Sequence, residues 1–213
     1  IWHLILMIII GLVAVLPMLF YDLILNKELE TDYSKPYILE TSWAVNTINN
    51  LAGFAGLVDV GLRYSFYSED GQEKTGIKAL SRLLPYFMSG LSLLSGLVFV
   101  SFWFLPLSPD LRKYWLLLLG IFLYLPFIFF ISSREKLAYF GQVPLKTRLS
   151  LLLASTAEWG TALGSFVSVA YLMGLHVHLY NLIPLYLLAV IIGIFSMIPG
   201  GIGSFDQIGR AHV

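Results

Sequence analysis

Apolar residues in this chain fall in long uninterrupted runs rather than in alternation. The runs cover about 3–25, 79–106, 114–132, 148–174 and 180–198. Each approaches the roughly 20 residues that an α-helix needs to cross a bilayer core, and the lack of alternation argues against a β-barrel. Pro17 and Pro126 lie inside runs and predict kinks, while Pro106 and Pro109 punctuate a turn. The segment 37–62 breaks the pattern. It is long enough to cross, yet polar residues and glycines fill about half of its middle, through the stretch TINNLAGFAGLVDVGLR.

Composition reinforces the pattern. Of 213 residues 58% are hydrophobic and 12% charged, and mean hydropathy is +0.80. Soluble domains carry about 25% charge. The expected class is an all-α polytopic membrane protein of about five to six transmembrane helices, plus a re-entrant helical hairpin at 37–62. Basic and acidic residues number 13 each, which points to no nucleic-acid partner. Cysteine is absent, so disulfides and thiolate metal sites are excluded. The first run begins at Ile1 without a charged leader or a small-residue cleavage site, and IGRAHV ends abruptly after an apolar helix boundary. The reading is one transmembrane domain over 1–213, truncated at both ends.

Charge placement bears on 37–62 through the excess of Lys and Arg in cytoplasmic loops. If the segment crosses, Arg63, Lys74, Lys78, Arg82, Arg134, Lys136, Lys146, Arg148 and Arg210 share one side against Lys27, Lys35, Arg112 and Lys113. If it enters and returns, Lys27 and Lys35 join the larger group and only Arg112 and Lys113 oppose it. The second arrangement obeys the rule better. It makes the segment two pieces of about 12 residues, the length of a re-entrant element.

Polar groups at membrane depth are the candidate chemistry. Asn46, Asn49, Asn50 and Gly53 fall on one helical face, a pattern equally suited to helix packing. Asp59 and Arg63 stand four apart, where they would pair, and Arg63 is weighed evenly between a polar site and snorkelling at the interface. Asp22 lies one turn before the end of the first run, where an interfacial carboxylate is ordinary. Glu158 is the sharpest signal, because an ionisable group deep in an apolar run is costly and faces the bundle interior or a watery cavity. Ser155, Thr161, Ser165 and Ser168 extend from it as a polar stripe. Gly160 and Gly164 form a GxxxG pair that predicts close helix packing. In SMIPGGIGSFD, Gly200, Gly201 and Gly203 interrupt the last apolar segment, and unwound backbone of this kind can cradle a phosphate. Gly53-x-x-Gly56-x-x-Asp59 and Gly200-x-x-Gly203-x-x-Asp206 share one spacing, and paired Gly-broken segments mark transporter sites. His176 and His178 in a short outer loop suit an interface better than a metal. Trp2, Trp43, Trp103 and Trp115 near run ends fit an aromatic belt.

FYDLIL, the Asn/Gly stretch ending in GLR, SGLSLLSGL at 89–97, AEW and IPGGIGSFD occur in that order. Together they resemble the N-terminal membrane domain of the bacterial phosphatidylglycerol lysyltransferases, or multiple peptide resistance factors. The resemblance implies a protein of two parts. A cytoplasmic synthase moves lysine, or sometimes alanine, from tRNA onto phosphatidylglycerol. The membrane domain then flips the aminoacylated lipid to the outer leaflet, which lowers surface charge and repels cationic antimicrobial peptides. It carries over Asp22, Arg63, Glu158 and the Gly200–Asp206 turn as site positions. Asp59 stands where the family has a small residue, and QIGRAHV is polar where the family continues in apolar helix.

The expected function is translocation of lysyl-phosphatidylglycerol in the bacterial plasma membrane. Glu158 and Asp22 would meet the ammonium groups, Arg63 and the Gly200–Gly203 amides the phosphate, and the Asn face the glycerol. Expected partners are anionic and aminoacylated phospholipid, the bilayer and a covalently linked synthase domain, with homo-oligomerisation left open. No cofactor or metal is called for, and aminoacyl transfer itself is not expected of these residues. Rival readings are a membrane anchor and scaffold for the synthase, or a synthase-free lipid or small-solute transporter.

Overall fold

A computed structural model describes residues 2–52 apart from 30 and 32, 57–67, 80–134 apart from 107, and 142–196 apart from 176. Its elements are helical, with no strand among the described residues. They are α1 (Trp2–Glu28), α2 (Lys35–Ala52), α3 (Leu57–Tyr67), α4 (Leu80–Ser101), α5 (Trp115–Ser133), α6 (Leu145–Leu172) and α7 (Leu179–Ser196). Three of them, α1, α4 and α5, are long and apolar enough to cross a membrane. α6 has 28 residues, but Ser, Thr and Glu run through its middle, and the apolar part of α7, Leu179–Phe195, is shorter. The larger number of crossings expected from the sequence therefore stays with the proposal below.

Prolines shape these helices as expected, and at one further place. α1 narrows to a 3₁₀ step at Leu16–Met18 around Pro17. α4 does the same at Leu84–Met88 around Pro85, which the sequence reading passed over. Proline lacks an N–H, so it frees a carbonyl one turn back. In α5, Pro126 deprives the Phe122 carbonyl of its donor. Ser92 of α4 inserts its hydroxyl there, donating to the Ile121 carbonyl at 2.6 Å and accepting from the Leu125 N–H at 3.0 Å. A neighbouring serine, also 3.1 Å from the Phe122 carbonyl, thus supplies a partner where the proline removes one, as polar side chains do in apolar bundles, and the helix runs on unbroken from Trp115 to Ser133. Ser92→Ala is expected to cost about 1 kcal/mol, the scale of such bonds between membrane helices, read as a lower unfolding temperature in detergent.

α6 is the central post, packing against α1, α4 and α7. It ends in a Schellman turn, with Gly174 at φ +84° and the Leu175 N–H bonded to the Ala170 carbonyl at 3.0 Å. The GxxxG expectation fails. A Cβ at Gly160 or Gly164 would meet nothing within 4 Å. Close approach occurs instead in the SGLSLLSGL run, where a Cβ at Gly90 would collide with the Ser155 backbone and one at Gly96 with the Phe122 ring. Sequence spacing identifies a smooth helix face but not the face that a neighbour uses.

α2 and α3 form an antiparallel hairpin. The Tyr37 hydroxyl, near the start of α2, donates to the Phe66 carbonyl near the end of α3 at 3.0 Å. The helices have 18 and 11 residues rather than two of about 12. Leu29, leaving α1, and Leu80, entering α4, are buried in one apolar cluster with Tyr67 and Val143. The described residues before and after the hairpin therefore share one cluster. Basic residues gather there. Arg82 donates to the Gln142 carbonyl, Arg148 to the Phe129 carbonyl at 3.3 Å, and Lys27 and Lys146 line one groove.

Candidate functional site

Three of the sequence candidates meet inside the bundle. Asp22 of α1 and Arg63 of α3 are 0% and 1% exposed. The guanidinium grips the carboxylate with two bonds, Nε to Oδ1 at 2.8 Å and Nη2 to Oδ2 at 2.9 Å. This fork-to-fork geometry is the strong form of an ion pair. Nη2 also donates to Asn46 Oδ1 of α2 at 3.4 Å, and Asn46 Nδ2 in turn donates to Ser42 Oγ at 3.1 Å. The Phe87 ring of α4 lies 5.6 Å from the Arg63 Cζ, within cation–π range.

These contacts correct several expectations. Arg63 does not snorkel, and it pairs with Asp22, 41 positions away. Asp22 is buried against Arg63 rather than presented on the protein surface. The two charges assigned separately to phosphate and ammonium neutralise each other in this conformation. Isolated burial of either ion would be far too costly, so the pairing follows from desolvation.

Glu158 joins the cluster through a residue that the sequence reading missed. The Tyr21 hydroxyl of α1 donates to Glu158 Oε2 at 2.6 Å. Tyr21 stacks at 4.3 Å on Phe87, the ring that faces Arg63. A continuous chain of contacts therefore links Glu158, Tyr21, Phe87, Arg63, Asp22 and Asn46 across five helices. The signal was present in FYDLIL, where tyrosine and aspartate are adjacent and so point to different neighbours of one helix. Tyr67 of α3 was missed as well. Its hydroxyl is buried with no hydrogen-bond partner among the described residues.

The stripe below Glu158 holds helices together rather than lining an open path. Ser155 Oγ donates to the Phe87 carbonyl and accepts from the Gly90 N–H, both at 2.8 Å. Trp159 Nε1, from the AEW motif, donates to the same Phe87 carbonyl at 3.0 Å. Those are groups left over by the 3₁₀ break at Pro85. Thr161 and Ser165 lie against the Ala14 and Ile10 carbonyls of α1 at 3.2 and 3.4 Å. Ser168 bonds back to Gly164 in its own helix at 2.7 Å. Both proline-broken helices, α1 and α4, thus dock on α6 beside Glu158.

The side chains of Asn49, Asn50 and Asp59, and the whole of Gly53, Gly56, Gly200, Gly201, Gly203 and Asp206, lie outside the described residues. The Gly/Asp echo falls with them. Among the described residues no group of three or more His, Cys, Asp or Glu is arranged to hold a metal.

No protein-family model matches the chain. Over 208 residues it is 31% identical to phosphatidylglycerol lysyltransferase of Bacillus subtilis (strain 168), covering 94% of this chain and 24% of that protein. The chain is a relative of the phosphatidylglycerol lysyltransferases. Staphylococcus aureus strain MRSA252 has a phosphatidylglycerol lysyltransferase 31% identical over 198 residues, which make up 88% of this chain and 22% of that protein. The lysyltransferase of strain COL is 30% identical over 197 residues, with the same coverage. The chain thus spans about a quarter of the length of the curated relatives it matches. Three of its helices are long and apolar enough to cross a membrane, which fits a membrane segment.

Proposed function

We propose that this chain is the translocating membrane domain of a phosphatidylglycerol lysyltransferase, moving lysyl-phosphatidylglycerol from the inner to the outer leaflet of the bacterial plasma membrane and so conferring resistance to cationic antimicrobial peptides. The observation that carries this reading is the chain of contacts from part-buried Glu158 to the buried Arg63, Asp22 and Asn46, placed where two proline-broken helices meet α6. In this reading residues 1–213 form one multi-pass domain, with α6 and α7 crossing beside the three apolar helices. The basic end faces the cytoplasm. The α2–α3 hairpin re-enters from that side, and the larger protein supplies the synthase.

Charge supports the choice of cargo. Asp22, Glu158 and Arg63 set two carboxylates against one guanidinium. A lysyl lipid head carries the inverse, two ammonium groups and one phosphate. The Asp22–Arg63 pair opens by exchange: an ammonium takes Asp22 while the phosphate takes Arg63. No ion is left unpaired at any depth, which removes most of the penalty for carrying a charged head through hydrocarbon. Asn49, Asn50 and the Gly200, Gly201, Gly203 and Asp206 turn complete the path, offering hydrogen bonds to the glycerol and phosphate.

The full-length protein, restored to a strain lacking aminoacyl lipid, tests this. Total lysyl lipid and the fraction open to an impermeant amine reagent are measured together. Glu158→Gln and Tyr21→Phe are expected to lower the outer fraction at normal total lipid. An unchanged outer fraction at normal total removes the assignment. A scaffold role has one observation in its favour, the Ser155, Thr161 and Ser165 stripe being absorbed in helix contacts. It predicts the opposite split, in which Glu158→Gln lowers total lysyl lipid and leaves the outer fraction constant.

A further inference from the structure

Phe87 sits in the 3₁₀ step of α4, two positions after Pro85. Two donors from α6, Ser155 Oγ and Trp159 Nε1, hold its carbonyl at 2.8 and 3.0 Å. Its ring lies 4.3 Å from the Tyr21 ring and 5.6 Å from the Arg63 Cζ. A guanidinium near a ring face is attracted by the ring quadrupole, and the attraction grows as the cation loses water. Arg134 over Phe130 and Arg148 over Phe129 stand at similar distances, 5.4 and 5.9 Å, but both cations reach the surface. Arg63 is 1% exposed. The phenyl face is therefore a cation site inside the bundle, and it shares its occupant with Asp22.

We propose that Phe87 is a specificity-determining residue, its ring making the release of Arg63 conditional on the arrival of another cation. The inference rests on the exchange proposed above, in which a phosphate draws Arg63 away from Asp22. That step strips the carboxylate and the ring of the same charge at once. An ammonium entering beside Asp22 refills both places, because one guanidinium serves both now. A head without an ammonium, such as that of unmodified phosphatidylglycerol, refills neither. A carboxylate stripped of its cation can escape by taking up a proton, whereas a phenyl ring has no group that ionises. Asp22 alone would therefore be a leaky filter, and Phe87 adds the part of the cost that no proton removes. Specificity of this kind penalises the wrong cargo rather than holding the right one more tightly. Lysyl lipid keeps a cation over the ring before and after the exchange, so its own transfer depends little on Phe87.

Full-length protein reconstituted into dioleoyl phosphatidylcholine vesicles tests this, each preparation carrying a small share of lysyl-phosphatidylglycerol or of phosphatidylglycerol. Transfer between leaflets is read with an impermeant amine reagent for the first and with periodate oxidation of the free glycerol diol for the second. Selectivity is the ratio of the two rates. Phe87→Leu keeps an apolar side chain without a ring face. It is expected to lower selectivity about tenfold, the scale of a desolvated cation–ring contact, through faster transfer of phosphatidylglycerol. Phe87→Tyr restores a ring and is expected to preserve selectivity. Phenylalanine bearing one, two or three ring fluorines at position 87 keeps the shape and is expected to lower selectivity stepwise. Withdrawing electrons from the ring weakens its hold on a cation but not its contact with electron-rich Tyr21, so that contact cannot produce the trend. The same series at Phe129, beneath Arg148, is expected to change nothing. Constant selectivity across the Phe87 series, or an equal fall in the Phe129 series, would overturn the inference and leave the translocation reading intact. A parent protein that moves lysyl lipid no faster than phosphatidylglycerol would also overturn it. A parent that moves neither lipid would overturn both.

Discussion

Arg63→Ala is expected to lower the stability of the folded domain by about 3–5 kcal/mol, the cost of leaving one member of a buried ion pair without its partner. Asp22 would remain in a site with no exposure, its two oxygens stripped of both guanidinium bonds. Asp22→Ala should cost as much from the other side, because Arg63 would lose both of its bonds to the carboxylate. Asp22→Asn combined with Arg63→Gln removes both charges and keeps hydrogen-bonding atoms in place, so it should recover most of the loss. Thermal unfolding in detergent, followed by loss of the monodisperse peak in size exclusion, reads all four proteins. Single variants as stable as the parent, or a double variant no better than the singles, would show that the pair is not what holds α1 to α3. The double variant has a second use. A domain that is folded yet fails to expose lysyl lipid would place Asp22 and Arg63 in the translocation step rather than in assembly.

Gly90→Ala is expected to destabilise the folded domain by about 1–3 kcal/mol. A Cβ there points at the Ser155 carbonyl, which belongs to the backbone of α6 and cannot rotate away. The helices would have to separate, weakening the bond from the Gly90 N–H to Ser155. Gly160→Ala and Gly164→Ala meet open space and should be neutral or slightly stabilising, since alanine favours a helix over glycine. The three variants form one comparison by thermal unfolding. Gly160→Ala or Gly164→Ala matching Gly90→Ala would mean that the GxxxG face does meet a partner.

The membrane helices were legible because apolar runs of sufficient length have few other uses. Asp22, Arg63 and Glu158 stood out because charge inside such runs is expensive. Their partners did not stand out. Arg63 finds its acid 41 positions away and Glu158 its tyrosine 137 positions away, and no periodicity reports contacts at such separations. Local spacing pointed only to Asp59, whose side chain lies outside the described residues. Glycines misled for a related reason. A GxxxG pair marks a helix face that can be approached, and only packing decides whether it is. The serines of SGLSLLSGL gave no hint that they would serve other helices, although Ser92 completes the broken ladder of α5.

The separation of these partners also sets an order of events during synthesis. α1 enters the membrane carrying Tyr21 and Asp22 well before either has anything to bind. Arg63 follows 41 residues later and Glu158 137 residues after Tyr21. At translation rates of about 5–20 residues per second, α1 waits roughly 7 to 27 seconds for its tyrosine to be matched. Throughout that interval it is a transmembrane helix with an exposed acid, the kind of segment that insertion chaperones retain and quality-control proteases degrade. Slower translation downstream of Arg63 would lengthen the interval without changing a single contact in the finished bundle.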